Sequence, residues 1–259
     1  MFKSWRLGSL LGFPVEINLS FLLLLGLVLV AFGGLAGVLV VCLAFASVLV
    51  HELGHALVAR KLNVHVSGIE LSFFGGAAKM ENMPRTANHE IAIAAAGPAV
   101  SLMLGGLGLG LGLALGSGFL LMLGYINFVL AAFNLIPALP MDGGRILRAL
   151  LSKKYDFVRA TDIAVTVSRV AAVGFVIYGL ATATWMLVVL APLLWMMGTR
   201  EKLMARMSEQ RFANYGGGGG GGRWDSPFDP RGPHDPYERT MRRFTIHQRN
   251  GRVVIEAVD

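Results

Sequence analysis

Leu35-Ala36-Gly37-Val38-Leu39-Val40-Val41-Cys42-Leu43-Ala44-Phe45-Ala46-Ser47-Val48-Leu49-Val50-His51-Glu52-Leu53-Gly54-His55-Ala56-Leu57-Val58-Ala59 decides what kind of fold this chain has. About 20 apolar residues cross a hydrocarbon layer of roughly 30 Å, so the stretch is long enough to span a membrane as one helix. Inside it lie three ionisable groups, His51, Glu52 and His55. A charged group at the middle of such a helix costs about 2.5–3.5 kcal/mol on insertion scales. It persists mainly where it pairs, binds an ion or lines a wet cavity. Imidazoles at i and i+4 share a helical face one turn apart, so both rings can reach one ion. Glu52 sits at the edge of that face, suited to take a proton from water at the ion. The plainer alternative is a hydrogen-bonded polar cluster between helices.

The surrounding chain agrees with a membrane setting. Of its 259 residues, 54% are hydrophobic and 15% are charged; soluble domains carry about 25% charged residues. Mean hydropathy is +0.61. The net charge of +7 does not point to nucleic acid, because the basic residues sit in short segments between apolar runs. Cys42 is the single cysteine; no intrachain disulfide is possible, and the residue reads as a small buried hydrophobe. Lys3 and Arg6 followed by an apolar run mimic a secretory leader. The run from 17 to 32 is long for one, and another apolar segment follows at once, so it is read as uncleaved.

The expected fold is an all-α membrane protein of about six transmembrane helices. Four are expected near 15–32, 35–59, 91–115 and 119–136, and two within 160–198. Residues 63–87 are mixed, with β-branched residues and Gly75-Gly76 between strand-like pieces. The uncharged stretch 170–198 is long for one helix, at about 43 Å, and short for two. Two are preferred, with a turn near 180–184. Arg60, Lys61, Lys79 and Arg85 follow the second span. Arg145, Arg148, Lys153, Lys154 and Arg159 follow the fourth, and Arg200, Lys202 and Arg206 the sixth. The connections after spans one, three and five hold no Lys or Arg. Six spans in the cell membrane with both termini cytoplasmic satisfy this distribution. The glycines at 105, 106, 108, 110 and 112 read as helix-packing positions.

Three segments are expected along the chain: a membrane domain over 1–211, a linker over 212–243 and a tail over 244–259. Gly216–Gly222 is a run of seven glycines, and the charged, proline-bearing stretch after it reads as disordered. Asn250-Gly251 between β-rich arms predicts a hairpin.

A catalytic zinc site needs a third protein ligand. The span ending near 136 runs opposite to the one bearing His51, so Asp142 emerges on the same membrane side as the basic end of that helix. Pro137 and Pro140 break the helix before it, which could turn the carboxylate back toward the ion. His65, His89, His234 and His247 are read as loop, helix-end or exposed residues. Asp162 and Arg169, seven apart, are read as an interhelical polar contact.

These residues resemble the site-2 protease family of intramembrane metalloproteases. His51-Glu52-Leu53-Gly54-His55 is similar to its zinc motif. Asn134-Leu135-Ile136-Pro137-Ala138-Leu139-Pro140-Met141-Asp142-Gly143 is similar to its second motif. Ala96-Gly97-Pro98 and the segment 73–77 add to the likeness, which covers about residues 10–205. The resemblance implies one Zn2+ per chain held by His51, His55 and Asp142, with Glu52 as general base and Asn134 in substrate positioning. It further implies that residues 64–81 form a membrane-associated β-hairpin, which could pair with an unwound, membrane-anchored protein substrate. Unlike many relatives, the chain is expected to lack a PDZ insertion and a C-terminal pair of CBS domains. The implied activity is hydrolysis of peptide bonds in or near transmembrane segments. A non-catalytic zinc-stabilised membrane adaptor is the alternative, and a metal transporter a third reading. The intact acid beside the histidine pair disfavours the first, and ionisable residues clustered at one depth disfavour the second.

Overall fold

A computed structural model of the chain describes residues 4–31, 34–73, 75–80, 86–216, 243–249 and 252–258. The elements in order are β1 (Ser4–Leu10), β2 (Phe13–Asn18), α1 (Leu19–Ala31), α2 (Gly34–Lys61), β3 (Val66–Ser72), β4 (Gly75–Met80), α3 (Ala87–Leu115), α4 (Gly118–Asn134), α5 (Asp142–Ser152), α6 (Phe157–Ala181), α7 (Trp185–Gly216), β5 (Arg243–Arg249) and β6 (Arg252–Val258). The chain is mostly helical, with seven helices among the described residues. Three of them, α2, α3 and α6, are long and apolar enough to cross a membrane; α1 and α4 are shorter apolar helices. Leu23, Leu39, Leu113 and Ile177 are all exposed, as expected of helix surfaces bathed in lipid rather than water. Cys42 is exposed as well, a correction to its reading as a buried residue.

The N-terminal segment departs from expectation. Residues 13–18 are a strand rather than the start of the first span, and α1 begins at Leu19. Phe13 and Val15 are buried while Pro14 and Glu16 are half-exposed, the alternation of a strand with one covered face. Leu11 and Gly12, with φ of 52° and 89°, form the two-residue turn between β1 and β2. The side chain of Asn18 then accepts from the Ser20 N–H (3.1 Å) and starts α1. The hairpin β1–β2 joins the expected hairpin β3–β4 through a parallel β2–β3 pairing, giving sheet order β1-β2-β3-β4. One sheet face packs on the C-terminal half of α2 and on α3, through Phe13, Val66, Ile69, Leu53, Ala56 and Ile93. Arg60 fastens the far hairpin to α2, with Nη1 donating to the Leu11 carbonyl at 2.8 Å and its guanidinium 4.7 Å from the Phe13 ring centroid.

The glycines of α3 divide between two faces. A Cβ at Gly108 would come within 2.8 Å of the Gly124 backbone, and one at Gly112 within 2.8 Å of Leu121, so these positions let α4 approach closely. Gly106 and Gly110 face open space. Residues 160–198 form two helices divided at 182–184. Helix α7 continues to Gly216, into the segment expected to be linker. The rest of the glycine run and the following charged stretch lie outside the described residues.

The chain divides into two units after Gly221. In the second, β5 and β6 pair antiparallel from Arg243↔Val258 to Arg249↔Arg252. The expected Asn250-Gly251 turn lies outside the described residues.

Candidate metal centre

His51 and His55 lie on the buried face of α2, one turn apart, 2% and 3% exposed. Their Nε2 atoms are 3.2 Å apart, and Oδ2 of Asp142 lies 3.1 Å from each. Three donor atoms from two distant segments therefore form a nearly equilateral triangle. In a tetrahedral zinc site with ligands at about 2.0–2.2 Å, neighbouring donors are roughly 3.3–3.6 Å apart, so a modest outward relaxation would seat the ion.

The tautomers suit that use. His55 Nδ1 donates to the Ile93 carbonyl at 2.6 Å, which leaves the lone pair of a neutral ring on Nε2. His51 Nδ1 lies 2.9 Å from the hydroxyl of the fully buried Ser101. Ile93, Gly97 and Ser101 follow one another at intervals of four along a single face of α3. Between its two polar neighbours, Gly97 faces the donor atoms directly. A Cβ there would overlap Nε2 of His55 and come within 2.6 Å of Nε2 of His51. Two imidazole lone pairs, a carboxylate and a backbone cradle without a side chain fit a zinc ion.

Asp142 reaches the triangle because of how its loop is built. It is the first residue of α5, and the next two are glycines pressed against the backbone of Leu135–Leu139, with no room for a Cβ at either. The loop rests on α6 and α7. Leu139 N–H donates to Ser168 Oγ at 2.7 Å, and Met141 packs against Ala172, Ala191 and Leu194.

Glu52 stands beside the triangle, half-buried. It offers a carboxylate oxygen within 4.8 Å of a ring nitrogen of each of His51 and His55. Its Oε2 accepts the Ala78 N–H at 3.0 Å. Asn134 is half-buried, and its Nδ2 donates to the Leu130 carbonyl of its own helix at 3.0 Å; it is not among the groups that meet at the triangle.

Chain topology at this site matches a known family. The profile of Peptidase family M50 matches residues 38–118 and 115–175, more than half of the chain. This chain belongs to peptidase family M50. A zinc metalloprotease of Methanocaldococcus jannaschii is 36% identical over 196 residues, covering 73% of this chain and 57% of the relative. A Synechocystis sp. homologue is 42% identical over 165 residues, covering 56% and 44%. The chain thus spans about half the length of these curated relatives. Among solved structures, the site-2 protease from Methanocaldococcus jannaschii matches with a TM-score of 0.62 at 34% identity, over 77% of this chain and 95% of that one. Both segments that supply the M50 donor triangle fall within the matched residues.

Several groups around the M50 site escaped the sequence reading. Ser101 and Ile93 carry no local signal beyond their spacing on α3. Arg148, counted among the basic residues that follow the fourth span, is buried and donates through Nε and Nη2 to the buried Glu90. Its Nη1 also donates to Glu201 of α7 at 3.2 Å. The contact expected of Asp162 and Arg169 is made separately by each. Asp162 pairs with Lys202 and Arg206 of α7 at 3.1 and 3.3 Å, while Arg169 stacks on Trp195.

Proposed function

We propose that this chain is a zinc endopeptidase that cleaves membrane-anchored proteins in or near their transmembrane segments. The convergence of His51, His55 and Asp142 on one point inside the helical body carries this reading. His51 and His55 would hold the ion through Nε2, and Asp142 through Oδ2. When bound, zinc supplies Lewis acidity, acidifying water and polarising a carbonyl. Glu52 takes the proton of the attacking water and returns it to the leaving amine nitrogen. Ser101 and the Ile93 carbonyl keep both rings turned toward the ion while charge builds up.

An unwound substrate segment lies extended beside β4, the edge strand of the sheet, and Asn134 contributes to its placement. Six crossings of the cell membrane with both termini cytoplasmic accord with the charge pattern and with the lipid-like surfaces of α2, α3 and α6. Residues 1–211 act as the protease domain, with 212–243 as linker and 244–259 as tail; α7 runs on to Gly216, and the break between the two units falls after Gly221.

The test is zinc content and cleavage of a single-span substrate by wild type and Glu52→Gln. About one zinc per chain in both proteins, with cleavage in wild type alone, is expected. Normal turnover by Glu52→Gln would refute the assigned base. Zinc without cleavage in either protein would favour the adaptor.

A further inference from the structure

Between Ser117 and Asn134, helix α4 holds only two side chains that carry nitrogen or oxygen, Tyr125 and Asn127. Tyr125 is exposed, whereas Asn127 is fully buried. Its Nδ2 donates one hydrogen to the Leu123 carbonyl of its own helix at 2.9 Å, and the other to Ser47 Oγ on α2 at 3.0 Å. Ser47 is buried too, and its hydroxyl hydrogen goes to the Leu43 carbonyl at 3.1 Å. It can therefore only accept from Asn127, and the amide cannot be turned round. Asn127 Oδ1 is buried and has no hydrogen-bond partner among the described residues.

An unfilled buried acceptor costs more than one hydrogen bond between membrane helices usually returns. Stability alone would favour an apolar residue at 127. A buried asparagine between helices has another use, which is to fix their register at the expense of stability.

The helix directions show what register would do here. From His51 to His55, α2 meets first Ser101 and then Ile93, so α3 runs against it. From Gly105 through Gly108 to Gly112, α3 meets Phe128, Gly124 and then Leu121, so α4 runs against α3. Helices α2 and α4 therefore run in the same direction, a correction to the opposite sense expected for them. Starting at the Ser47–Asn127 bond, both lead to the metal centre. His51 is about 6 Å further along α2, and Asn134 about 10 Å further along α4, where the loop to Asp142 begins. Against α3, by contrast, α4 meets glycine backbone and apolar side chains. Such surfaces allow close approach without a directional bond.

We propose that the Ser47–Asn127 hydrogen bond sets the register of α4 on α2, and through it places Asp142 against the Nε2 atoms of His51 and His55. Asn127 is thus a positioning residue for the metal centre. Its role rests on the assignment of those three ligands to zinc.

The test follows zinc affinity of the full chain in detergent micelles by chelator competition, and thermal unfolding of the metal-free protein. Asn127→Leu should bind zinc on the order of tenfold more weakly than wild type, as when a support of a metal ligand is lost. Its metal-free form should unfold no earlier than wild type. In an Asp142→Ala background, adding Asn127→Leu should cause no further loss, because the carboxylate being placed is gone. Ser47→Ala removes the same bond from the other helix and should also weaken zinc binding, so the proposal stays testable if Asn127→Leu does not fold. Wild-type affinity in either single variant overturns the proposal. So does a further loss in the Asp142→Ala background equal to that in wild type, which would mark a general structural role. Absence of zinc binding by wild type itself would overturn the ligand assignment, and the proposal with it.

Discussion

The backbone N–H of Ala78 donates to Oε2 of Glu52 at 3.0 Å, so the outer edge of β4 holds the acid that neighbours His51 and His55. Ala78 pairs with Ile69 across β3, yet its N–H is turned to α2. Gly76 makes this approach possible: a Cβ there would lie 2.8 Å from both Glu52 Cγ and Val48 Cγ1. Gly76→Val should displace the carboxylate and lower kcat/KM on the order of a hundredfold, the scale of a misplacement near 1 Å. Bound zinc should stay at the wild-type level. Parallel measurement of zinc content and turnover checks this, and unchanged turnover would remove any positioning role for β4.

Gly97→Ala places a methyl group where the two Nε2 atoms face α3. Zinc affinity, measured by chelator competition, should fall at least tenfold while the helical circular dichroism is retained. Wild-type affinity in that variant would mean that the ion sits elsewhere.

Ser101→Ala removes the hydroxyl beside His51 Nδ1. Loss of such an outer partner costs about 10–100-fold in metal affinity or activity. Ser101→Thr, which keeps the hydroxyl, should recover most of it. Identical behaviour of the Ala and Thr variants would show that the hydroxyl does not orient the ring.

Arg148→Ala leaves the Glu90 carboxylate buried without its main partner. Breaking a buried pair from one side costs about 3–5 kcal/mol, so a large drop in unfolding temperature is expected. Replacing both residues, as Glu90→Leu with Arg148→Met, should restore part of it. A double variant as unstable as the single one would show that the pair does more than neutralise itself.

The sheet carries its own pH dependence. Hydrogen bonds from Asn18 and then from Lys79 hold the Glu70 carboxyl below its ordinary range. Contacts with Glu16 and then Glu70 raise the Lys79 ammonium above its own. The Glu70 contribution is present above the ordinary carboxylate pKa and is lost as pH falls through the lowered folded value. That of Lys79 is complete below the ordinary lysine pKa and is lost as pH rises through the raised one. Unfolding followed against pH should show both limbs in wild type. The acid limb should be weaker in Glu70→Gln; an unchanged acid limb would place the linkage on other carboxylates.

The pairing of His51 with His55 on one face, and the break in the chain before Asp142, could be read from sequence because helical spacing and proline breaks are local properties. The first hairpin could not. Residues 13–32 form an apolar run interrupted mainly by Glu16 and Asn18, which looks like a span. Only the alternation at Phe13 and Val15, and the turn at Leu11-Gly12, separate a strand from it. The parallel pairing of Val15 with Ile69 spans two helices and leaves no local trace. Arg148 and Glu90 lie 58 residues apart, and a burial that satisfies both cannot be told from two interfacial charges until the helices are packed. Nor does a serine at 101 differ, in sequence, from the small residues that let α3 pack closely.

Because Ile93, Gly97 and Ser101 lie on one face of a single helix, the two imidazoles do not have separate supports. Sliding α3 along α2 would withdraw the carbonyl from one ring, withdraw the hydroxyl from the other and close the gap at the glycine in a single movement. Gly54, where a Cβ would lie 3.0 Å from the Ala96 carbonyl oxygen and from Val100 Cγ2, sets how near that helix can come. The two rings should therefore gain or lose their grip on a metal together, and partial docking of the helices would leave no half-affinity state.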